Sequence, residues 1–188
     1  MSDHQRVRFH EEQRFPGWIL LAVLATSSTT WFGFVWQVVL GHPFGSKPAP
    51  DWVLTLVFSV FGLGLPFLFV RLRLITDVTG ELVRVRLSPL KTRVHRIEDI
   101  LSCSAVQYSP IRDYGGWGIR YGGARVGWAY NVRGTSGVRL ETRQGDRLLI
   151  GSQQAERLAQ VINDAVRSVP LPPAHAMTPA IGLPPSVT

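Results

Sequence analysis

The residues best suited to chemistry lie between Tyr114 and Asn131, where the chain reads YGGWGIRYGG and, four residues later, WAYN. A glycine-rich run can cradle a phosphate when its backbone amides converge at the start of a helix. Counting from Gly116 gives G-W-G-I-R-Y, so Tyr121 stands where the dinucleotide fingerprint needs its third glycine, and a strand pattern follows. No lysine follows these glycines as a P-loop requires. Gly115, Gly116, Gly122 and Gly123 are therefore read as turn formers. The histidines at positions 4, 10, 42, 95 and 175 have no metal-ligand spacing with Cys103. Ser152 lacks the G-x-S-x-G elbow, and Asp77-Val78-Thr79-Gly80 is not the D-[ST]-G of aspartic proteases. The sequence predicts no catalytic residue, no metal and no cofactor, and not an enzyme.

Binding chemistry is better represented. Trp117, Tyr121, Trp128 and Tyr130 are interleaved with Arg112, Arg120 and Arg125, and aromatic and arginine side chains dominate interface hot spots. Strand alternation puts Arg120 and Asn131 on the face opposite those rings, where both are expected to be exposed. Trp117, Arg120 and Asn131 form one candidate partner surface. Arg84 and Arg86, with Arg73 upstream, form a second, suited to anionic lipid headgroups. From Leu74 to Ser168 there are fourteen basic and nine acidic residues, a net of +5. Each basic residue near an anionic leaflet contributes about 1 kcal/mol. These arginines are mixed with acids and not gathered into one stripe, which argues against nucleic acid.

Two segments position this region. Trp18 to Leu40 and Trp52 to Val70 contain no charged side chain, and the chain as a whole is 45% hydrophobic. Eleven residues of the first and thirteen of the second are Leu, Ile, Val or Phe, favouring bilayer insertion by about 3 to 8 kcal/mol per segment. Both are predicted to be transmembrane helices, the first an anchor and not a cleaved signal, because its apolar run continues well past AVLA. TSSTT, Thr26 to Thr30, can bond its own helical carbonyls or pair with the second helix. Arg6, Arg8 and Arg14 precede the hairpin and Arg71, Arg73, Arg84 and Arg86 follow it, against Lys47 in the connector. The positive-inside rule then sets both termini in the cytoplasm.

Beyond Val70 the pattern changes to period two, most clearly at Val83, Val85 and Leu87 after a Thr79-Gly80 turn. Seven or eight short strands are expected, with QGD at Gln144 to Asp146 turning into LLIG. Leu158, Val161, Ile162, Ala165 and Val166 then recur at helical spacing, so an amphipathic helix is predicted, capped by Ser152. Cys103 is expected to be buried in a strand. The last twenty residues carry six prolines and no charge, and are predicted to be disordered.

FHEEQRF at Phe9 to Phe15, then YGGWGIR, AYNVRGTSGVRL and LLIGSQQAERLAQVI, resemble a group of uncharacterised bacterial membrane proteins that place a pleckstrin-homology-like (PH-like) domain after a transmembrane hairpin. The resemblance covers about residues 9 to 166 and implies a bacterial plasma-membrane location. The expected architecture is α+β, an antiparallel PH-like barrel or sandwich closed by the C-terminal helix. Its parts are a cytoplasmic segment 1–17, a hairpin 18–70 with helices 18–40 and 52–70, a cytoplasmic domain 71–168 and the tail. The expected function is a non-catalytic binding or scaffolding module whose partners are the lipid bilayer, anionic headgroups or a protein. The alternatives are a regulator or subunit of a larger membrane complex or transporter and, behind it, an enzyme acting on a membrane-bound substrate.

Overall fold

The computed structural model describes residues 6–43 and 45–169. The tail expected to be disordered lies outside the described residues from position 170 onward. Strand β1 (Phe9–Arg14) comes first, followed by two long helices, α1 (Gly17–Val39) and α2 (Asp51–Arg71). Then come β2 (Arg73–Val78), β3 (Leu82–Ser88), β4 (Lys91–Arg96) and β5 (Ile100–Gln107). A short helix α3 (Pro110–Tyr114) precedes β6 (Gly118–Tyr121), β7 (Trp128–Asn131), β8 (Ser136–Thr142) and β9 (Arg147–Gly151), and α4 (Ala155–Ser168) closes the fold.

The strands form one sheet in the order β1-β2-β3-β4 and a second in the order β5-β8-β9-β7-β6. Leu74, Val78, Val83 and Val85 from the first sheet meet Tyr130, Val138, Leu140 and Ile150 from the second in one core. Leu158, Ile162 and Ala165 of α4 are fully buried in it, so the predicted apolar stripe covers the sheets as its spacing requires. The Thr79-Gly80 and QGD turns stand where the sequence puts them, joining β2 to β3 and β8 to β9. Cys103 is buried, and loss of solvation pushes its thiol pKa up to about 12.

Three details depart from the sequence reading. The segment before the first long helix contains a strand, β1, paired along its length with β2; the described residues beyond Val70 form eight strands, as expected there. The sheets are not wholly antiparallel, because β7 and β9 run parallel. The chain reverses from β7 into β8 but leaves a one-strand gap, and β9, folding back on β8, fills it. Ser152 does not cap α4, whose N-cap is Gln154; its hydroxyl serves the preceding turn instead, accepting from the Gln154 amide at 3.0 Å.

The two long helices pack against each other through a break in the second. Its hydrogen bonds widen over Phe58–Gly64, where the Leu65 amide reaches back five residues to the Val60 carbonyl. Pro66 has no N–H, so the donor that would meet the Phe61 or the Gly62 carbonyl is missing just where the hydrogen-bond register changes. The first helix donates to both carbonyls. Ser27 Oγ donates to the Phe61 carbonyl at 2.8 Å, and Trp31 Nε1 donates to the Gly62 carbonyl at 3.1 Å. Thr26, Ser28, Thr29 and Thr30 bond back to their own helix, so TSSTT does both things its composition allows.

Candidate functional site

β1 ends at Arg14, three residues before α1 begins, and β2 begins at Arg73, two residues after α2 ends. Arg14 lies opposite Arg73, and Arg73 opposite Ser88. One end of the first sheet therefore carries both helix junctions and the β3–β4 turn at Pro89 and Leu90. This end is rich in cations and rings. Arg71 lies 4.8 Å from the Phe67 ring, and Trp18 meets Trp117 edge to face at 5.5 Å. Lys91 and Arg93 stand 5.8 and 5.6 Å from the Trp128 ring, which packs on Tyr121. Leu90 at the turn is 58% exposed. The opposite end carries a depression of about 490 Å³ whose lining pairs Arg8 and Arg96 with Glu81 and Glu98. Its charges balance, while the helix-bearing rim has a basic excess.

Two cavities mark the rim. A groove of about 560 Å³ runs between the end of α2 and the outer face of the first sheet, lined by Gly64, Phe67, Leu68, Arg71, Arg73, Ile75, Ser88 and Pro89. A smaller cleft of about 80 Å³ opens between β4 and the second sheet, among Arg93, His95, Trp128, Asp146, Arg147 and Leu148. Arg147 is already engaged, by Glu141 at 3.0 Å and the Arg125 carbonyl at 2.6 Å. His95 Nε2 is buried there without a hydrogen-bond partner. Burial, and then the nearby Arg93 charge, hold the His95 pKa below its ordinary value, so the neutral ring is favoured. Among the described residues no three His, Cys, Asp or Glu side chains stand together as metal ligands.

The five residues singled out from the sequence separate. Arg84 and Arg86 project from the exposed face of β3. Arg120 is exposed on β6 and turns back to donate to the Trp117 carbonyl at 3.1 Å. Trp117 is half-buried against Trp18, where it joins the body to the first helix. Asn131 is a correction. It does lie on the face opposite the core rings, as alternation requires, but it is 0% exposed because α3, Tyr108 and Tyr114 cover that face. Of the four aromatic residues, only Tyr130 is fully buried.

The glycine run is structural. Gly115 ends α3 in the left-handed conformation at φ 70°, and the chain continues into a strand and not a helix. At Gly127 a Cβ would lie 2.1 Å from the Arg147 carbonyl oxygen, so no side chain fits.

The motifs at the two ends of the body meet inside it. Glu11 of β1 accepts from the Ser152 hydroxyl at 2.5 Å and from the Gln153 amide at 2.8 Å, and Gln13 donates to the Gly151 carbonyl at 2.8 Å. The turn between β9 and α4 is thus fastened to the strand that precedes the first long helix. A model described as a family of unknown function, DUF6141, matches residues 6–169, from just before β1 to just past α4. The chain belongs to this family. None of the curated proteins matches the chain. The DUF6141 match thus encloses both partners of the Glu11 contact as well as the helices between them.

Sequence reasoning missed Lys91, Arg93 and His95, and it missed the buried roles of Glu11 and Gln13. The available signal was alternation in KTRVHR and FHEEQR, whose inward positions, Phe9 excepted, are polar and so hide a strand from any search for apolar periodicity.

Proposed function

We propose that α1 and α2 cross a bacterial plasma membrane as a hairpin and hold the β-rich body at the cytoplasmic surface as a non-catalytic binding or scaffolding module. Both helices are long and apolar enough to cross a membrane. The observation that carries the reading is the pairing of β1 with β2. The strand entering the first helix and the strand leaving the second lie side by side, with Arg14 opposite Arg73, so α1 begins and α2 ends at the same end of the sheet. That is the geometry of a two-pass hairpin. The arginines flanking both junctions, against Lys47 in the connector, support a cytoplasmic body. A PH-like assignment of the body is supported by two sheets over a shared core with a C-terminal helix closing it. Its partners are the leaflet it rests on or a protein recruited there, met at the basic and aromatic rim.

Cysteine accessibility tests the arrangement. Cys103 is the only native cysteine and is buried, so it gives no background label. With a membrane-impermeant maleimide, Ser46→Cys in the connector is expected to label in intact spheroplasts, and Ser102→Cys only after lysis. Recovery of the protein in the soluble fraction, or the reverse labelling order, overturns the proposal.

A further inference from the structure

The groove between α2 and the first sheet has the two-part chemistry of a phospholipid. Its upper wall is Gly64, Phe67 and Leu68, and Ile75 and Pro89 face them from the sheet. From Gly64 to Arg71 the helix rises about 10 Å, so one end of the groove reaches well above the level of the other. The lower end holds Arg71, Arg73 and the Ser88 hydroxyl. Arg73 is 3.0 Å from Glu12, and Arg14 is 3.6 Å from the same carboxylate oxygen. Two guanidinium groups therefore share one carboxylate, and Arg71 stands 4.8 Å from the Phe67 ring without joining that pair, so three arginines against one glutamate leave a net of +2 beside an apolar wall. Leu90, next in the chain after Pro89 of the lining, is exposed on the adjoining turn.

The geometry points to a seat for one anionic phospholipid of the cytoplasmic leaflet, with its phosphate between Arg71 and Arg73 and the first part of its acyl chains against Phe67 and Leu68. This assignment rests on the spanning reading above and specifies what the rim binds. Arginine suits the role because its planar donors meet phosphate oxygens in pairs. A second copy of the chain or a soluble protein would not require the apolar wall to continue up a helix that is itself apolar.

The test uses the full chain in vesicles of phosphatidylcholine containing a minor fraction of spin-labelled phosphatidylglycerol or spin-labelled phosphatidylcholine, and reads the motionally restricted fraction of each probe. At about fivefold per basic residue, phosphatidylglycerol is expected to be preferred about 25-fold. Arg71→Gln, at an exposed helix end, lowers the preference about fivefold, and adding Arg73→Gln brings it near unity. The charge-matched Arg96→Gln/Arg157→Gln variant, at two exposed positions of the body outside the groove, leaves it unchanged. Equal retention of the two lipids by the native chain, or an equal fall in the charge-matched variant, overturns the groove assignment. Alkaline carbonate extraction separates the two readings. A chain that resists extraction but shows no headgroup preference removes only the groove, whereas a chain released by carbonate removes the spanning reading as well.

Discussion

The helical hairpin and the β-rich body face the same difficulty and answer it with different chemistry. In the hairpin, Pro66 withholds a backbone donor beside the Phe61 and Gly62 carbonyls, and Ser27 and Trp31 of the other helix each give one of them a neutral hydrogen bond. In the body, the turn at Gly151 to Gln153 leaves a carbonyl, a hydroxyl and an amide to be met, and β1 meets them with Gln13 and the carboxylate of Glu11. Both bring a side chain from a distant part of the sequence to a backbone break. They differ in charge. A buried carboxylate holding two donors is a strong local bond, but the same group would be costly inside hydrocarbon, where the proposed spanning reading puts the hairpin. The hairpin therefore relies on packing with a few neutral bonds, and the body on a hydrophobic core clamped by one charged contact.

The sharpest way to separate the regions is to damage the body alone. Leu158→Ala empties a fully buried position under α4 and is expected to cost about 2 to 5 kcal/mol. Urea titration followed by near-ultraviolet circular dichroism should show the body's transition moving to lower urea while far-ultraviolet helicity from the hairpin persists. Joint loss of both signals would show that hairpin and body fold as one unit. Next in size is Glu11→Ala, which strands the Ser152 hydroxyl and the Gln153 amide. The expected loss is about 2 to 3 kcal/mol, with Glu11→Gln recovering part of it because one acceptor oxygen remains. If both variants were neutral, the clamp would not be what joins the two ends of the body.

How much of this could be read beforehand follows from where the apolar residues fall. The stripe of α4 and the strand at Val83 to Leu87 bury apolar side chains at the expected period, the two long helices stand out as apolar runs without charge, and each was legible. β1 was not, because its inward face after Phe9 is Glu11 and Gln13, so its pattern reads as exposed polar sequence. β4 was hidden for the same reason, with Lys91, Arg93 and His95 turned toward the space between the sheets. Asn131 was assigned to the correct face but the wrong environment, since nothing local announces that the short α3 turn will cover it. The rim came together only in three dimensions: Arg14, Arg73 and Ser88 become neighbours through strand pairing, across separations no local pattern reports.

In the hairpin, smaller changes are expected. Ser27→Ala leaves the Phe61 carbonyl without its donor, and measured side-chain bonds between membrane helices average about 0.6 kcal/mol with a maximum of about 1.7. Steric trapping or a detergent-mixture unfolding series should place the loss in that range. Pro66→Ala in the same background is expected to make Ser27 dispensable, because a restored N–H can satisfy the helix internally. A loss of several kcal/mol from Ser27→Ala alone would mean that the hairpin depends on its polar contacts as heavily as the body does.

The smallest effect concerns pH, and it belongs to the body alone, since α1 and α2 carry no histidine. His95 in the cleft beside Trp128 has its pKa lowered from 6.5, first by burial and then by Arg93, with Asp146 and Asp99 pulling the other way. The unfolded chain therefore takes up a proton at this ring more readily than the folded one does. By linkage, the stability contributed by the neutral ring is present above about pH 6.5 and is lost as pH falls through the folded-state value. Urea midpoints at about pH 7.5 and about pH 5 should differ more for the native chain than for His95→Gln, which cannot titrate. The hairpin's transition, followed in the same samples, should not respond to the substitution at either pH. If His95→Gln left the acid-side slope of the body unchanged, the slope would have to come from the carboxylates, and the cleft would be open enough for the protonated ring to be solvated.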